Sequence, residues 1–248
     1  MILFVIAALI SYLVKGLCGF ANTLVFSSIL SFSVDNIAIS PVDLILGFPA
    51  NVVLTWRNRR KLKWKIWAPV AILVLLGSIP GIFLLQKGGA KLIKVLFGAA
   101  VIVIGIEMLY HEYSREKTNK AGAPEKTRGD KILLTLIGPI SGVLCGLYGV
   151  AALLAVYMRR VTDNDSSFKA NMCAVLVTEN IFRIMVYWAT GILSLQSVRQ
   201  AVLLAPAMLA GLWFGIRCSD RLNESAVKKV IIIMLLLSGA SLIAANLS

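Results

Sequence analysis

In a chain of 248 residues, 58% are hydrophobic and only 15% are charged, whereas soluble domains carry roughly 25% charged residues. That composition excludes an ordinary aqueous core. The formal net charge of +13 does not point to nucleic acid either, because the basic residues form short clusters between apolar spans, as in Arg57, Arg59, Arg60, Lys61, Lys63 and Lys65, with no aqueous fold to present a basic face.

In chain order, the first segment is Met1–Val34. As one helix it would run about 50 Å at 1.5 Å per residue, too long for a hydrocarbon layer of about 30 Å, so it is expected to fold back. Gly16 and Gly19 lie near its middle, where the backbone can reverse. The start, MILFVIAALISYLV, has no basic leader region and reads as part of the mature protein. Crossings are expected at 39–56, 66–86 and 92–110, followed by the polar linker His111–Lys131. A second unusual segment, Lys131–Met158, holds Gly146 and Gly149 and precedes crossings at 168–189, 198–217 and 228–246.

The two unusual segments are related. Ile10–Ala21 (ISYLVKGLCGFA) aligns with Ile140–Ala151 (ISGVLCGLYGVA), including both glycines of each G-x-x-G, and Gly77–Ile82 aligns with Gly211–Ile216. Gly105 and Gly239 match in the same order. A duplication of this kind is common in secondary transporters. It divides the chain into a first repeat at 1–110, a cytoplasmic linker at 111–131 and a second repeat at 132–248.

Loop charge gives the orientation. If Lys131–Met158 spanned fully, Lys and Arg would divide almost evenly between the two sides. As a re-entrant hairpin it leaves only Lys87, Lys91, Lys94 and Arg199 of the loop cations outside, the asymmetry expected of cytoplasmic loops. The expected fold is therefore an all-α polytopic membrane protein of two inverted repeats. Each repeat is a glycine-broken re-entrant hairpin plus three transmembrane helices. For the first hairpin this rests on repeat symmetry, since a full first crossing gives the same loop count.

Charges within apolar segments each cost at least ~2.5–3.5 kcal/mol at the bilayer centre and usually face a pathway or a partner. Lys15, Glu107, Glu179 and Arg183 stand out. Glu179 and Arg183 lie four apart on one predicted helix and form either a structural pair or an anion-binding arginine with a carboxylate for coupling. Lys15 either meets substrate beside the first break or snorkels to a headgroup. Glu107, near His111, reads as interfacial. Asn51 and Asn180 occupy equivalent positions as a ligand clamp or as interhelical glue. Half-helices following the breaks at Gly16, Gly19 and Asn22, and at Gly146 and Gly149, would present free N–H groups to an anion.

Cys18, Cys145, Cys173 and Cys218 are isolated, without C-x-x-C spacing, so neither a disulfide framework nor a metal site is expected. Cys18 and Cys145 fall in opposite hairpins, which makes a membrane thiol oxidoreductase the competing reading. An intramembrane hydrolase would need a base or metal, yet the sole histidine, His111, lies at a loop edge. No enzyme activity or cofactor is expected.

The segments GLCGFANTLVF, GLYGVAALLAVYM and FKANMCAVLVTENIFRIMVYWATGIL resemble the sulfite exporter TauE/SafE family of membrane permeases through nearly the whole chain. The resemblance implies a multi-pass plasma-membrane carrier, an exporter of sulfite, a sulfonate or a related organic acid, with two glycine-rich hairpins meeting at the transport site. A small anion and the lipid bilayer are then its partners; a proton or other ion is a candidate for coupling, and a second copy of the chain a candidate partner. Where family members often carry further glycines, a proline and an arginine, this chain has Ala21–Asn22, Ser27–Ser28 and Lys169.

Overall fold

The computed structural model describes residues 2–30, 36–86, 138–146, 151–162 and 164–221, with positions 102, 106, 233, 236 and 240. The crossings expected at 92–110 and 228–246, the linker at 111–131, and Glu107, His111 and Gly149 fall outside the described residues, apart from those isolated positions.

Everything regular among the described residues is helical. We name α1 Ile2–Cys18, α2 Asn22–Leu30, α3 Asn36–Arg57 and α4 Trp64–Gln86. Helical residues 138–146 form α5, and α6 Ala152–Val161, α7 Asp165–Ala189 and α8 Leu195–Ser219 follow. By length and apolar composition α3, α4, α7 and α8 can each cross a membrane. Asn164 caps α7 by accepting from the Ser167 N–H at 2.9 Å, and Ser194 caps α8 by accepting from the Ser197 N–H at 3.1 Å. Observed α4, α7 and α8 begin two or three residues before the expected crossings, because caps and basic flanks extend the helices into the interface.

α2 folds back along α1. The Phe26 ring meets Phe4 edge-on at 6.5 Å, and Asn22 returns to Lys15. The turn between them places Gly19 at φ +86° and Ala21 at φ +69°. Glycine adopts that conformation freely, while alanine is held there against roughly 1–2 kcal/mol of steric preference.

Two crossed contacts organise the packing. α1 lies against α8: a β-carbon on Gly16 would come within 2.7 Å of Leu212 O and Ile216 N, and one on Gly215 within 2.1 Å of Leu13 O. α5 lies against α4 in the same way, since a β-carbon on Gly146 would approach Ser78 O to 2.4 Å and Ile82 N to 3.1 Å, and one on Gly81 would meet Val143 O at 2.3 Å. Under the repeat alignment Gly16 corresponds to Gly146, Leu13 to Val143, Ser78 to Leu212 and Gly81 to Gly215. Each half thus inserts its first helix into the small-residue groove of the other half. Close backbone approach replaces hydrophobic driving force where lipid is the solvent.

The helix pair α3 and α7 runs antiparallel between these contacts. Ser40 meets Arg183 and Tyr187, Gly47 faces Asn180, and beyond α3 Lys61 and Lys63 meet Ser167 and Asn171. At that same end Arg57 pairs with Asp220 at 2.6 Å, and Arg159 pairs with Asp165 while lying over the Phe168 ring. Trp56 and Trp64 are exposed beside the basic loop they flank, where amphipathic rings suit a membrane interface. Val202, Leu203, Leu209, Trp213 and Phe214 of α8 are exposed, an apolar face matched to acyl chains.

Candidate functional site

The inner face of α3 carries Ser40, Asp43, Gly47 and Asn51, a stripe at helical spacing. Pro49 on the same helix has no N–H to give Ile45, so the backbone beside this stripe lacks one rung of its ladder. Two polar networks converge on the stripe from opposite sides.

The first network comes from α1 and α2. Lys15, 1% exposed, donates from Nζ to Asn22 Oδ1 at 2.6 Å. The other end of the same amide donates from Nδ2 to Asp43, at 3.0 Å to Oδ1 and 3.3 Å to Oδ2. Asn22 joins an ammonium to a carboxylate because one amide holds both an acceptor and a donor. Asp43, 4% exposed, also accepts from Tyr12 Oη at 3.1 Å and from the Thr23 hydroxyl. Gly47 lies one turn further along α3. A β-carbon there would sit 3.6 Å from Asn22 Nδ2, 3.7 Å from Tyr12 Oη and 3.8 Å from Asn180 Nδ2, so Asn180 of the second half borders the first half's network.

The second network belongs to α7. Arg183, 2% exposed, donates from one guanidinium nitrogen to Ser40 Oγ at 2.6 Å and from Nε to Tyr187 Oη at 3.1 Å. Ser40 Oγ and Tyr187 Oη are themselves 3.1 Å apart. Glu179 lies 3.8 Å from the guanidinium, and its Oε1 has no hydrogen-bond partner among the described residues. Ser40 and Asp43 are three residues apart, neighbours on one helical face. The two networks therefore meet through α3.

A small, partly open crevice lies where the starts of α2 and α6 approach. Phe20, Ala21, Asn22, Thr23 and Leu24 line it from the first break, Ala151 from the second and Leu176 from α7. In α2 the first intrahelical bond runs from the Val25 N–H to Ala21 O, and in α6 from the Ala155 N–H to Ala151 O. The preceding first-turn N–H groups of each helix have no acceptor within their own helix.

Of the residues singled out in the sequence, Lys15, Asn22 and Asn180 meet around Asp43 and Gly47, and Glu179 and Arg183 join the neighbouring network. Gly19 adjoins the crevice wall, with the Lys169 stem across it: a β-carbon there would lie 2.9 Å from Lys169 Cγ. Gly16 and Gly146 face helix backbones in the crossed contacts. Asn51 is buried on the same stripe of α3, and its Oδ1 has no partner among the described residues. Cys18 and Cys145 are buried, and neither forms a disulfide among the described residues.

Asp43, Tyr12, Thr23, Ser40 and Tyr187 were missed. Asp43 was available as a signal: it is an acidic residue inside the expected crossing 39–56, and the charge criterion that selected Lys15 applies to it equally. The hydroxyls had no signal, because only the fold places them opposite charges.

Among the described residues the protein is all helical, and charges paired between apolar helices of this kind mark a pathway or a partner inside a membrane protein. The sequence model of the family described as Sulfite exporter TauE/SafE matches residues 3–242 of this chain, and the chain belongs to that family, one of membrane anion transporters. No curated protein and no solved structure matches it.

Proposed function

We propose that this protein is a secondary carrier, acting as an exporter in the plasma membrane, for a small anion such as sulfite, a sulfonate or a related organic acid. The single observation behind this reading is the crevice at the junction of the two breaks, flanked by the first turns of α2 and α6. Helix N-termini carry about half a positive charge and unsatisfied N–H donors, which favour an anion. Asn22 adds a side chain that lines the crevice and is held by Lys15 from behind. Arg183 supplies a second, permanently charged group that tolerates burial through its planar donors, with Glu179 beside it for pairing or coupling.

In this reading the halves are inverted repeats and each break is the tip of a re-entrant hairpin. The crossed glycine contacts support it, as does the gathering of the loops at 57–65, 159–167 and 217–221 at one end. Single cysteines in Thr118–Arg128 and Arg159–Ser167, in a background lacking the native thiols, should both resist an impermeant external reagent in intact cells. External labelling of the second loop with protection of the first would overturn the re-entrant assignment.

The functional test is flux of radiolabelled sulfite, sulfoacetate, taurine and simple carboxylates in proteoliposomes, with and without a proton gradient. Saturable movement of at least one of the anions is expected. Absence of saturable flux for every probe by folded protein would overturn the transport reading.

A further inference from the structure

Nothing in the anion crevice itself explains why a carboxylate should be buried directly behind it. Asp43 sits on α3, yet its partners come from elsewhere: Tyr12 from α1, Asn22 and Thr23 from the first turn of α2. Those last two residues also line the crevice. The same short piece of chain therefore borders the anion space with one surface and holds Asp43 with another.

Resting on the transport reading, we propose that Asp43 is the carrier's proton-binding site, and that the start of α2 links its protonation to occupation of the crevice. The chemistry around the carboxylate selects a proton over a metal cation. Asn22 turns its N–H donors to Asp43 while Lys15 occupies its oxygen, so that amide offers a metal cation no ligand beside the carboxylate. Among the described residues no group of three His, Cys, Asp or Glu side chains is arranged to hold a metal ion.

With α2 in place, three donors surround the carboxylate, and Lys15 stands behind one of them, Asn22. A shift of α2 away from α3 withdraws two of these donors. A carboxylate stripped of donors in an apolar interior is held as the neutral acid. Binding of an anion against the α2 N-terminus and binding of a proton at Asp43 thus act on one shared element, which is what coupling requires.

The charged and titratable groups facing Asp43 are Tyr12 and Lys15 from α1, and from α7 Arg183 and Tyr187 through Ser40, with Glu179 beside Arg183 and Cys173 further along that helix. α2 brings no titratable side chain, and α8 carries its charges, Arg199 and Arg217, toward its two ends. Lys15 and Arg183 balance Asp43 and Glu179, so one proton taken up at Asp43 changes the net charge of the buried set by one. Asp220, exposed at the loop end and paired with Arg57, serves as the internal control.

The experiment has two arms on the full chain in proteoliposomes. In acid-minus-neutral infrared difference spectra, wild type should show a protonated-carboxyl C=O component that is lost in Asp43→Asn and retained in Asp220→Asn. This arm reads the proton without any anion. In the second arm, with radiolabelled sulfite, Asp43→Asn should lose the accumulation driven by a proton gradient while retaining sulfite exchange without a gradient. An acid band unchanged in Asp43→Asn, or undiminished gradient-driven accumulation, would overturn the proposal. If wild type moves no sulfite while the band behaves as stated, the transport reading for sulfite fails and the proton site stands. Should Asp43→Asn fail to fold, Tyr12→Phe and Thr23→Val keep every charge and each remove one donor to Asp43. Both should displace the pH profile of the infrared band, and profiles identical to wild type would overturn the assignment.

Discussion

Among the described residues the two halves of this carrier share a crossed contact between glycine-bearing helices and divide their polar chemistry. In the first half, the broken segment and the helix after it carry Tyr12, Lys15, Asn22, Thr23 and Asp43; the aligned positions of the second half hold Gly142, Cys145, Ala152, Leu153 and Met172. The reverse holds one element later, where Glu179 and Arg183 of α7 correspond to the buried apolar Ala50 and Leu54 of α3. Backbone contacts that build the scaffold are duplicated, whereas charged residues are not. Packing through glycine needs the same geometry on both sides, while a charge in lipid costs several kcal/mol and is kept only where a partner or a pathway answers it.

The largest expected effect separates the two charged networks. Arg183→Gln leaves Glu179 buried without its cation, which should destabilise the protein by about 3–5 kcal/mol. Lys15→Gln leaves Asp43 with its three donors and should cost less, about 1–3 kcal/mol. Thermal unfolding in detergent measures the order, and an equal or reversed order would mean that the Asp43 donors contribute less than the geometry indicates. Arg183→Lys should retain part of any anion binding as a point charge. Glu179→Gln should alter the pH dependence of transport; if both Arg183→Gln and Glu179→Gln transport normally, the pair is structural.

The duplicated scaffold should respond alike on both sides. A β-carbon on Gly77 would come within 2.1 Å of Pro139 O, and one on Gly211 within 2.3 Å of Leu9 O. Gly77→Ala and Gly211→Ala should each lower stability by about 1–3 kcal/mol, the range for forced overpacking. A silent substitution on one side would break the symmetry of the crossed contacts.

The smallest effect concerns the aligned amides. Asn51→Ala removes a side chain whose oxygen has no hydrogen-bond partner among the described residues, whereas Asn180→Ala removes an amide bordering the Asn22 and Tyr12 cluster. If Asn180 meets the anion, its loss should weaken sulfite binding by one hydrogen bond, roughly 0.5–1.5 kcal/mol or ~2–13-fold, with a smaller change for Asn51→Ala. Equal binding in both folded variants would place the anion away from Asn180.

The helices of the membrane core were legible because each is a long apolar run, and periodicity was not needed to find them. Glu179 and Arg183 were legible for the complementary reason, since a charge inside such a run is conspicuous. Asp43 carried the same signal, lying inside the expected crossing 39–56, and its helix begins earlier still, at Asn36. Gly16 and Gly146 carried a real signal with two physical meanings, a break beside ligand and a place for another helix; the described contacts of both are with helix backbone.

What the sequence by itself determined is the solvent, the membership of the family and the repeated glycine pattern, because hydrophobicity, loop charge and repeated glycines are properties of residues in order. Only tertiary structure decided that Asn22 lies between Lys15 and Asp43, that Arg183 reaches Ser40 of the other half, and that Ala151 lines one crevice with Asn22 and Thr23. Those relations join residues far apart in the chain, and hydrogen bonds of about 3 Å depend on how helices cross, which residue order does not specify.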